Sequence, residues 1–364
     1  MSVVALTKKL IQMPSVTPND GGILAYVVSL LPDFTPLWLE KNEVKNLFLY
    51  RRFGEGEHLC FAGHVDVVPA GQGWGTPPFE AVEKEGYLYG RGAQDMKGGV
   101  AAFVQALIDT THFAGTLSLL LTSDEEGAAI DGTLAMLEEL KVQGLLPDCA
   151  VVAEPTCEVR MGDAIKVGRR GSINATLTIL GKQGHAAYPE KVTNPLDILA
   201  PKLTQLSGYR LDEGDEFFAP SQIVITDIRG GMQVTNVTPD SVTIMFNVRN
   251  NTLTSVTSIE AHIATLFAPH QYRLEIAPSS RAFVTSREAK IVTQMAASIA
   301  QACRISPVFS TAGGTSDARY FAQYGIDVVE FGVLNDRIHK IDERTSLEEL
   351  HLLYETFRHL IDHL

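Results

Sequence analysis

Residues 59–71 read LCFAGHVDVVPAG: an apolar run that ends in two ionisable side chains, His64 and Asp66, before Pro69 and Gly71 turn the chain. A short apolar run bounded by turn residues reads as a buried strand. His64 and Asp66 then stand where the strand gives out, and open α/β sheets gather their functional groups at such C-terminal ends. The pattern recurs on either side. NLFLYRR (46–52), TLSLLLTSDEE (116–126) and CAVVAEPT (149–156) are short apolar runs closed by polar or turn residues. Between them MKGGVAAFVQALIDT (96–110) and GTLAMLEELKVQG (132–144) carry apolar residues at helical spacing. Strand and helix in alternation predict a largely parallel α/β sheet.

The texture changes after Gly168. GSINATLTILGKQGHAAYP (171–189) and SVTIMFNVRNN (241–251) alternate apolar and polar residues with period two, which suits antiparallel strands with one covered face. NPLDILAPKLTQLSG (194–208) and SVTSIEAHIATLF (255–267) read as helices. Strands with two helices make a small α+β unit of ferredoxin-like kind. From Ser286 onward the α/β pattern resumes, with EAKIVTQMAASIAQACR, GIDVVEFGV and a last helix from Ser346. The expected organisation is an α/β domain over 1–168 and 284–364, interrupted by an inserted α+β domain over 169–283.

Composition narrows the function. The chain has 364 residues, 45% hydrophobic and 20% charged, with a net charge of -13. The length suits two domains. The acidic balance argues against nucleic acid, which needs a basic face, but still permits an anionic substrate held by local arginines. Cys60, Cys149, Cys157 and Cys303 form no CxxC pair, so neither a disulfide framework nor a cysteine metal cluster is expected. No apolar run is long enough to cross a membrane. The first twenty residues read as an amphipathic helix ending near Pro14, without signal-peptide architecture. The expected location is cytoplasmic.

Several apolar runs end in acid or histidine: His64 and Asp66, then Asp124, Glu125 and Glu126, then Glu154, then His339; Asp95 precedes a helix. Singly, each of these is most simply a solvated or packed residue. Together at equivalent strand ends they would bury uncompensated negative charge unless a cation sits among them. Two histidines with carboxylates match zinc. The surplus of carboxylates over one catalytic zinc is explained by two metals bridged by a carboxylate.

The ordered motifs GHVDVVP (63–69), LYGRGAQDMKGG (88–99), TSDEEG (122–127), AEPT (153–156) and GGTSDARY (313–320) resemble those of the dinuclear zinc amidohydrolases and exopeptidases. With GRRGSI (168–173) and QGHAAYP (183–189), the chain is most similar to the desuccinylase branch, and the resemblance spans nearly its whole length. It implies a zinc-exopeptidase-like catalytic domain with a mostly parallel sheet, interrupted by a ferredoxin-like dimerisation and lid domain. It implies two zinc ions per subunit, with cobalt as a substitute. His64 and Glu154 would hold one ion, His339 and Glu126 the other, and Asp95 would bridge them, followed by a cis peptide bond. Glu125 would be the general base, and Asp66 would hydrogen-bond the free ring nitrogen of His64.

The same resemblance implies a homodimer through the inserted domain, with His185 reaching the partner's active site to stabilise the oxyanion. Candidate substrate contacts are Arg169, Tyr188, Asn236, Arg249 and the Gly-rich stretch Gly313, Gly314, Thr315, whose N–H groups suit an anion; Arg170 is a weaker one. The substrate would be a small anionic N-acyl amino acid, with a succinyl arm in the desuccinylase branch. An N-acetyl amino acid or a dipeptide is the alternative. The chain departs from the common pattern at Ala153, where glycine is frequent, and at Arg337–Ile338.

Overall fold

A computed structural model describes residues 1–364, the side chain of Pro278 excepted. Two compact units result: Met1–Gly168 with Thr285–Ser310 and Ser316–Leu364, and Arg169–Val284 with Thr311–Thr315.

The first unit is built on an eight-stranded mixed sheet. Its order is Thr35–Lys41, Val44–Arg52, Thr116–Thr122, His58–His64, Cys149–Val152, Asp327–Glu330, Ala164–Lys166 and Val308–Ser310. The four strands from Thr116–Thr122 to Asp327–Glu330 run parallel. They are buried along almost their whole length, which is why their sequences are continuous apolar runs rather than alternating ones. The sheet is largely parallel, as the alternation of strand and helix predicts, and one flank is antiparallel. Val44–Arg52 pairs antiparallel with both of its neighbours. The cause is local: Asn42 and Glu43 take φ of 47° and 72°, the left-handed pair that closes a two-residue hairpin and returns the chain antiparallel.

Helices cover the sheet. Lys97–Ile108 packs on the strand His58–His64 and against the helices Val3–Ile11 and Leu347–His363. Every residue from Lys97 to Leu107 is buried. Phe61, Phe103 and Phe357 meet there, with ring centroids 4.4 Å apart for Phe61–Phe103 and Phe103–Phe357. Each such buried ring contributes about 1.5–3 kcal/mol. The close approach depends on Gly99, where a Cβ would fall 2.5 Å from the Ala153 Cβ. That pairing explains how the chain carries alanine at 153. Leu347–His363 starts as the sequence predicts, with Ser346 and Glu349 forming a capping box, which satisfies two otherwise open N–H donors. The Asp95–Met96 bond is cis. Among the described residues no helix is long and apolar enough to cross a membrane, and the four cysteines are unpaired.

The second unit is an antiparallel four-stranded sheet in the order Ile223–Gly230, Ser241–Val248, Ser172–Leu180, Tyr272–Ser280. Ile173, Ala175, Leu177 and Ile179 alternate inward, beside Val242, Ile244, Phe246 and Val248. Ile259, Ile263 and Phe267 of the helix Val256–Phe267 complete this core. The helix expected over 194–208 is broken: it is α-helical over Pro195–Leu199 and a 3₁₀ helix over Ala200–Gln205. Pro201 has no N–H for an i→i−4 bond and its ring crowds the preceding turn.

Candidate metal centre

The strand His58–His64 delivers His64 fully buried to its end, and Asp66 follows, also fully buried. The His64 Nδ1 donates to the main-chain carbonyl of Asp66 at 2.9 Å, while the Asp66 Oδ1 stands 3.6 Å away. The Asp66 carboxylate thus stands beside the ring nitrogen it is expected to hold, and the Asp66 carbonyl shares that nitrogen. With Nδ1 committed as a donor, Nε2 is the ring atom turned toward Asp95 and Glu154, and a neighbouring acceptor of this kind fixes the orientation of a ligand histidine. The Asp66 carboxylate also reaches a second loop. It accepts from Thr17 Oγ1 at 2.7 Å and from the backbone N–H groups of Glu126 at 3.2 Å and Glu125 at 3.4 Å. So Asp66 couples the His64 strand end to the Glu125–Glu126 turn.

Glu125 and Glu126 lie in a turn that follows the strand Thr116–Thr122. Asp124 accepts from the N–H groups of Ile130 and Asp131 at 3.0 and 3.1 Å, which closes the loop behind them.

Asp95 stands between two histidines. Its Oδ1 is 3.0 Å from His64 Nε2 and its Oδ2 is 3.2 Å from His339 Nε2. Glu126 Oε1 is 2.9 Å from His339 Nε2, and Glu154 Oε1 is 3.7 Å from His64 Nε2. His339 is in the left-handed region at φ 60°, a conformation histidine tolerates better than most residues and one found at functional sites. Two groups of donor atoms come within 4.8 Å of one another: His64, Glu125 and Glu154, and His64, Asp95 and Glu126. The buried Glu154 Oε1 has no hydrogen-bond partner. An orphaned carboxylate oxygen aimed at a histidine nitrogen, among further carboxylates, fits a divalent cation with N and O ligands.

The electrostatics point the same way. The side-chain contacts of His339 with Asp95 and Glu126 lift its pKa from 6.5 to about 10. Burial alone would lower that of His64, but its contacts with Asp66 and Asp95 outweigh burial and raise it well above the usual value. Burial, and then the charges of Asp95 and Glu125, push Glu154 well up. Burial lifts Glu125 from 4.5 to about 8, with Asp317, Asp95 and Glu126 adding to the effect against the opposing charge of His64. Both histidines and two of the carboxylates thus hold protons more tightly than usual, as a cluster rich in negative charge does.

The remaining expected site residues belong to the second unit. Arg169 is buried, and its Nη1 donates to the carbonyl oxygens of Ala312 and Gly314 at 3.3 Å. The loop around Gly313 thus turns the Ala312 and Gly314 carbonyls toward Arg169. Arg249, Tyr188, Asn236, Gly313 and Gly314 are exposed, and Thr315 is half-buried. His185 is exposed; its Nδ1 accepts from the Ala187 N–H at 3.1 Å, which leaves the ring proton on Nε2, available to a ligand. His58 is packed instead, 2.8 Å from Ser118 Oγ, and burial lowers its pKa to about 4.

Sequence reasoning assigned no role to Thr17 or Asp317. Asp317 is buried, accepts from Thr133 Oγ1 at 2.6 Å, and keeps its Oδ1 without a partner. Its motif, GGTSDARY, was visible, but its partner Thr133 lies in a distant helix.

The profile of peptidase family M20/M25/M40 matches residues 60–363. A succinyl-diaminopimelate desuccinylase from Sulfurimonas denitrificans is 58% identical over 362 residues, covering 100% of this chain and 99% of that one. Another, from Wolinella succinogenes, is 58% identical over 352 residues, 97% of each chain. Among solved structures, a dinuclear metal binding peptidase of the M20 family from Bacillus subtilis superposes with a TM-score of 0.72 at 14% identity, covering 99% of this chain and 96% of that one.

Proposed function

Because the chain belongs to peptidase family M20/M25/M40, a family of metal-dependent hydrolases, we propose that it hydrolyses N-succinyl-LL-2,6-diaminopimelate to succinate and LL-2,6-diaminopimelate at a two-zinc centre. The observation that carries the reading is the placement of Asp95, one oxygen toward His64 and the other toward His339. Asp95 would help hold two ions, His64 and Glu154 the rest of one site and His339 and Glu126 the rest of the other. Curated relatives at 58% identity over nearly the full chain carry the desuccinylase name, which supports the substrate.

Held there, two divalent ions would supply Lewis acidity toward the amide carbonyl and the attacking water. Glu125 takes the proton from the attacking water and returns it to the leaving amine. Its burial among other carboxylates raises its proton affinity, as a proton carrier requires. Asp66 keeps Glu125 and Glu126 in place through their backbone N–H groups. The second unit serves as the dimerisation and lid domain, and the partner subunit's His185 donates from Nε2 to the oxyanion. Arg169 and Arg249, with Tyr188, Asn236 and the Gly313–Thr315 stretch, hold the substrate carboxylates. An acidic chain needs such local positive charge, and the planar guanidinium fork matches a carboxylate.

The test compares succinate release from N-succinyl-LL-2,6-diaminopimelate with acetate release from N-acetylornithine and with cleavage of a dipeptide, using zinc-loaded protein. The succinyl substrate should lead in kcat/KM by at least about 100-fold, the scale on which a site built for a charged arm rejects substrates lacking it. Equal or faster turnover of either competitor overturns the substrate assignment.

A further inference from the structure

A second buried ionic group lies behind the metal centre, and the mechanism above does not use it. Arg91 and Glu343 are almost completely buried and paired, Nη1 to Oε2 at 2.7 Å. Their remaining hydrogen bonds fan out to three loops. Glu343 Oε2 accepts from the Gly92 N–H at 3.0 Å, and Oε1 accepts from the N–H groups of Gln94 at 2.9 Å and Asp95 at 3.1 Å. Arg91 Nη2 donates to the carbonyls of Ala70 at 3.2 Å and Pro69 at 3.4 Å. Its Nη1 donates also to the Lys340 carbonyl at 3.2 Å. The guanidinium lies over the Trp74 ring, 5.2 Å from the centroid.

These partners are not scattered. Pro69 and Ala70 continue the loop that begins at His64 and Asp66. Gly92, Gln94 and Asp95 form the turn that carries the candidate bridging carboxylate. Lys340 adjoins His339, and Glu343 lies four residues beyond it. One ion pair therefore ties together the loops of His64, Asp95 and His339. A simple buried pair is weak support for stability, because desolvation offsets most of the attraction. A carboxylate that accepts three backbone N–H groups of one turn does something more specific: it sets where the next side chain of that turn points.

We propose that the Arg91–Glu343 pair is a positioning device for the metal centre, holding Asp95 at the separation from His64 and His339 that lets one carboxylate serve both ions. The proposal rests on the two-metal reading above. Neither residue touches substrate or metal; both act through Asp95 and the two histidine loops.

Glu343→Gln is the direct test. It keeps the volume, but one of its two ends becomes an NH₂ that faces N–H donors, so the 92–95 turn must shift. Metal-free protein is titrated with Co²⁺ and followed by visible absorption, alongside thermal melting, kcat and KM. The wild type should take two equivalents of Co²⁺. Folded Glu343→Gln should bind Co²⁺ about 10–100-fold more weakly and lose about as much in kcat, the usual effect of displacing a ligand's supporting group, with KM within about threefold. A merely structural role would lower the melting temperature and leave the Co²⁺ affinity of the folded protein unchanged, and that result overturns the proposal. Should Glu343→Gln not fold, Arg91→Lys decides. It keeps the charge but not the fork, and folded protein with wild-type Co²⁺ affinity and kcat also overturns the proposal. A wild type that takes up no Co²⁺ marks a different failure, that of the two-metal reading, and this proposal falls with it.

Discussion

Glu125→Gln separates proton transfer from metal binding. The substitution keeps the shape of the side chain and removes the group that carries the proton. A positioned general base is worth about 10²–10⁴-fold in rate, or about 3–5 kcal/mol of barrier at about 1.4 kcal/mol per tenfold. The same substitution acts with the opposite sign on the stability of the metal-free protein. In that form burial lifts the Glu125 carboxyl from 4.5 to about 8. The unfolded chain ionises near the lower value and the folded chain near the higher one. The wild type therefore loses stability as pH rises through that window, and the loss is complete above it. Its ceiling is about 5 kcal/mol at about 1.4 kcal/mol per tenfold change in proton affinity. Glu125 is only partly buried, so solvent screening reduces the expected gain from Gln to about 2 kcal/mol. The assay is urea unfolding of chelator-treated wild type and variant between pH 5 and 9, with kcat and metal content of the zinc-loaded forms at pH 7.5. Three outcomes are expected together: kcat falls by at least about 100-fold, zinc content stays at wild-type level, and the apo variant gains stability increasingly toward high pH. A kcat within tenfold of wild type with zinc bound refutes the proton-carrier role. A stability difference that does not change with pH refutes the argument from burial.

Chelation should abolish hydrolysis, and readdition of zinc should restore it only as the second equivalent binds; full activity at one equivalent contradicts a two-metal centre. Glu154→Ala and His339→Ala should each release metal on dialysis, whereas His185→Ala should retain it and lose kcat. Mixed dimers of His185→Ala with Glu125→Gln subunits contain one site with both groups intact, so activity should reappear from two weak parents. If subunit exchange is verified and no activity returns, His185 does not act across the dimer. Gly99→Ala places a Cβ 2.5 Å from that of Ala153 and should lower stability by about 1–3 kcal/mol as an overpacked contact; an unchanged melting temperature would show that the helix can move away freely.

What sequence alone could determine about this protein was whatever a few neighbouring residues encode. The continuous apolar runs at 59–63, 117–121 and 149–152 announce strands buried on both faces, because only such strands can do without polar alternation. Period-two patterning marks Ser172–Leu180 and Ser241–Val248 for the same kind of local reason. Ionisable residues at the ends of those runs announce a charged site, since burying them otherwise costs too much. Periodicity does not show where a single residue overrides the local pattern. The left-handed Asn42–Glu43 turn reverses a strand, and Pro201 cuts a helix that otherwise has good spacing.

Tertiary structure alone decided how the ionisable groups are divided. Asp66 has a carbonyl and a carboxylate, and nothing in HVD says that the first shares the His64 ring while the second also holds the Glu125–Glu126 turn. Asp95 meets His64 across 31 residues of chain, Glu126 meets His339 across 213, and Glu343 meets the Asp95 N–H across 248. The entropy of closing a loop grows only slowly with its length, so spacing along the chain selects no partner at such distances. The choice falls to the sheet. Parallel strands release His64, Glu125–Glu126 and Glu154 at one edge, and the helix that begins at Lys97 fits against them through Gly99. Once that packing exists, His64, Asp95 and Glu154 are enclosed, and the Arg91–Glu343 pair ties together the loops that carry His64, Asp95 and His339.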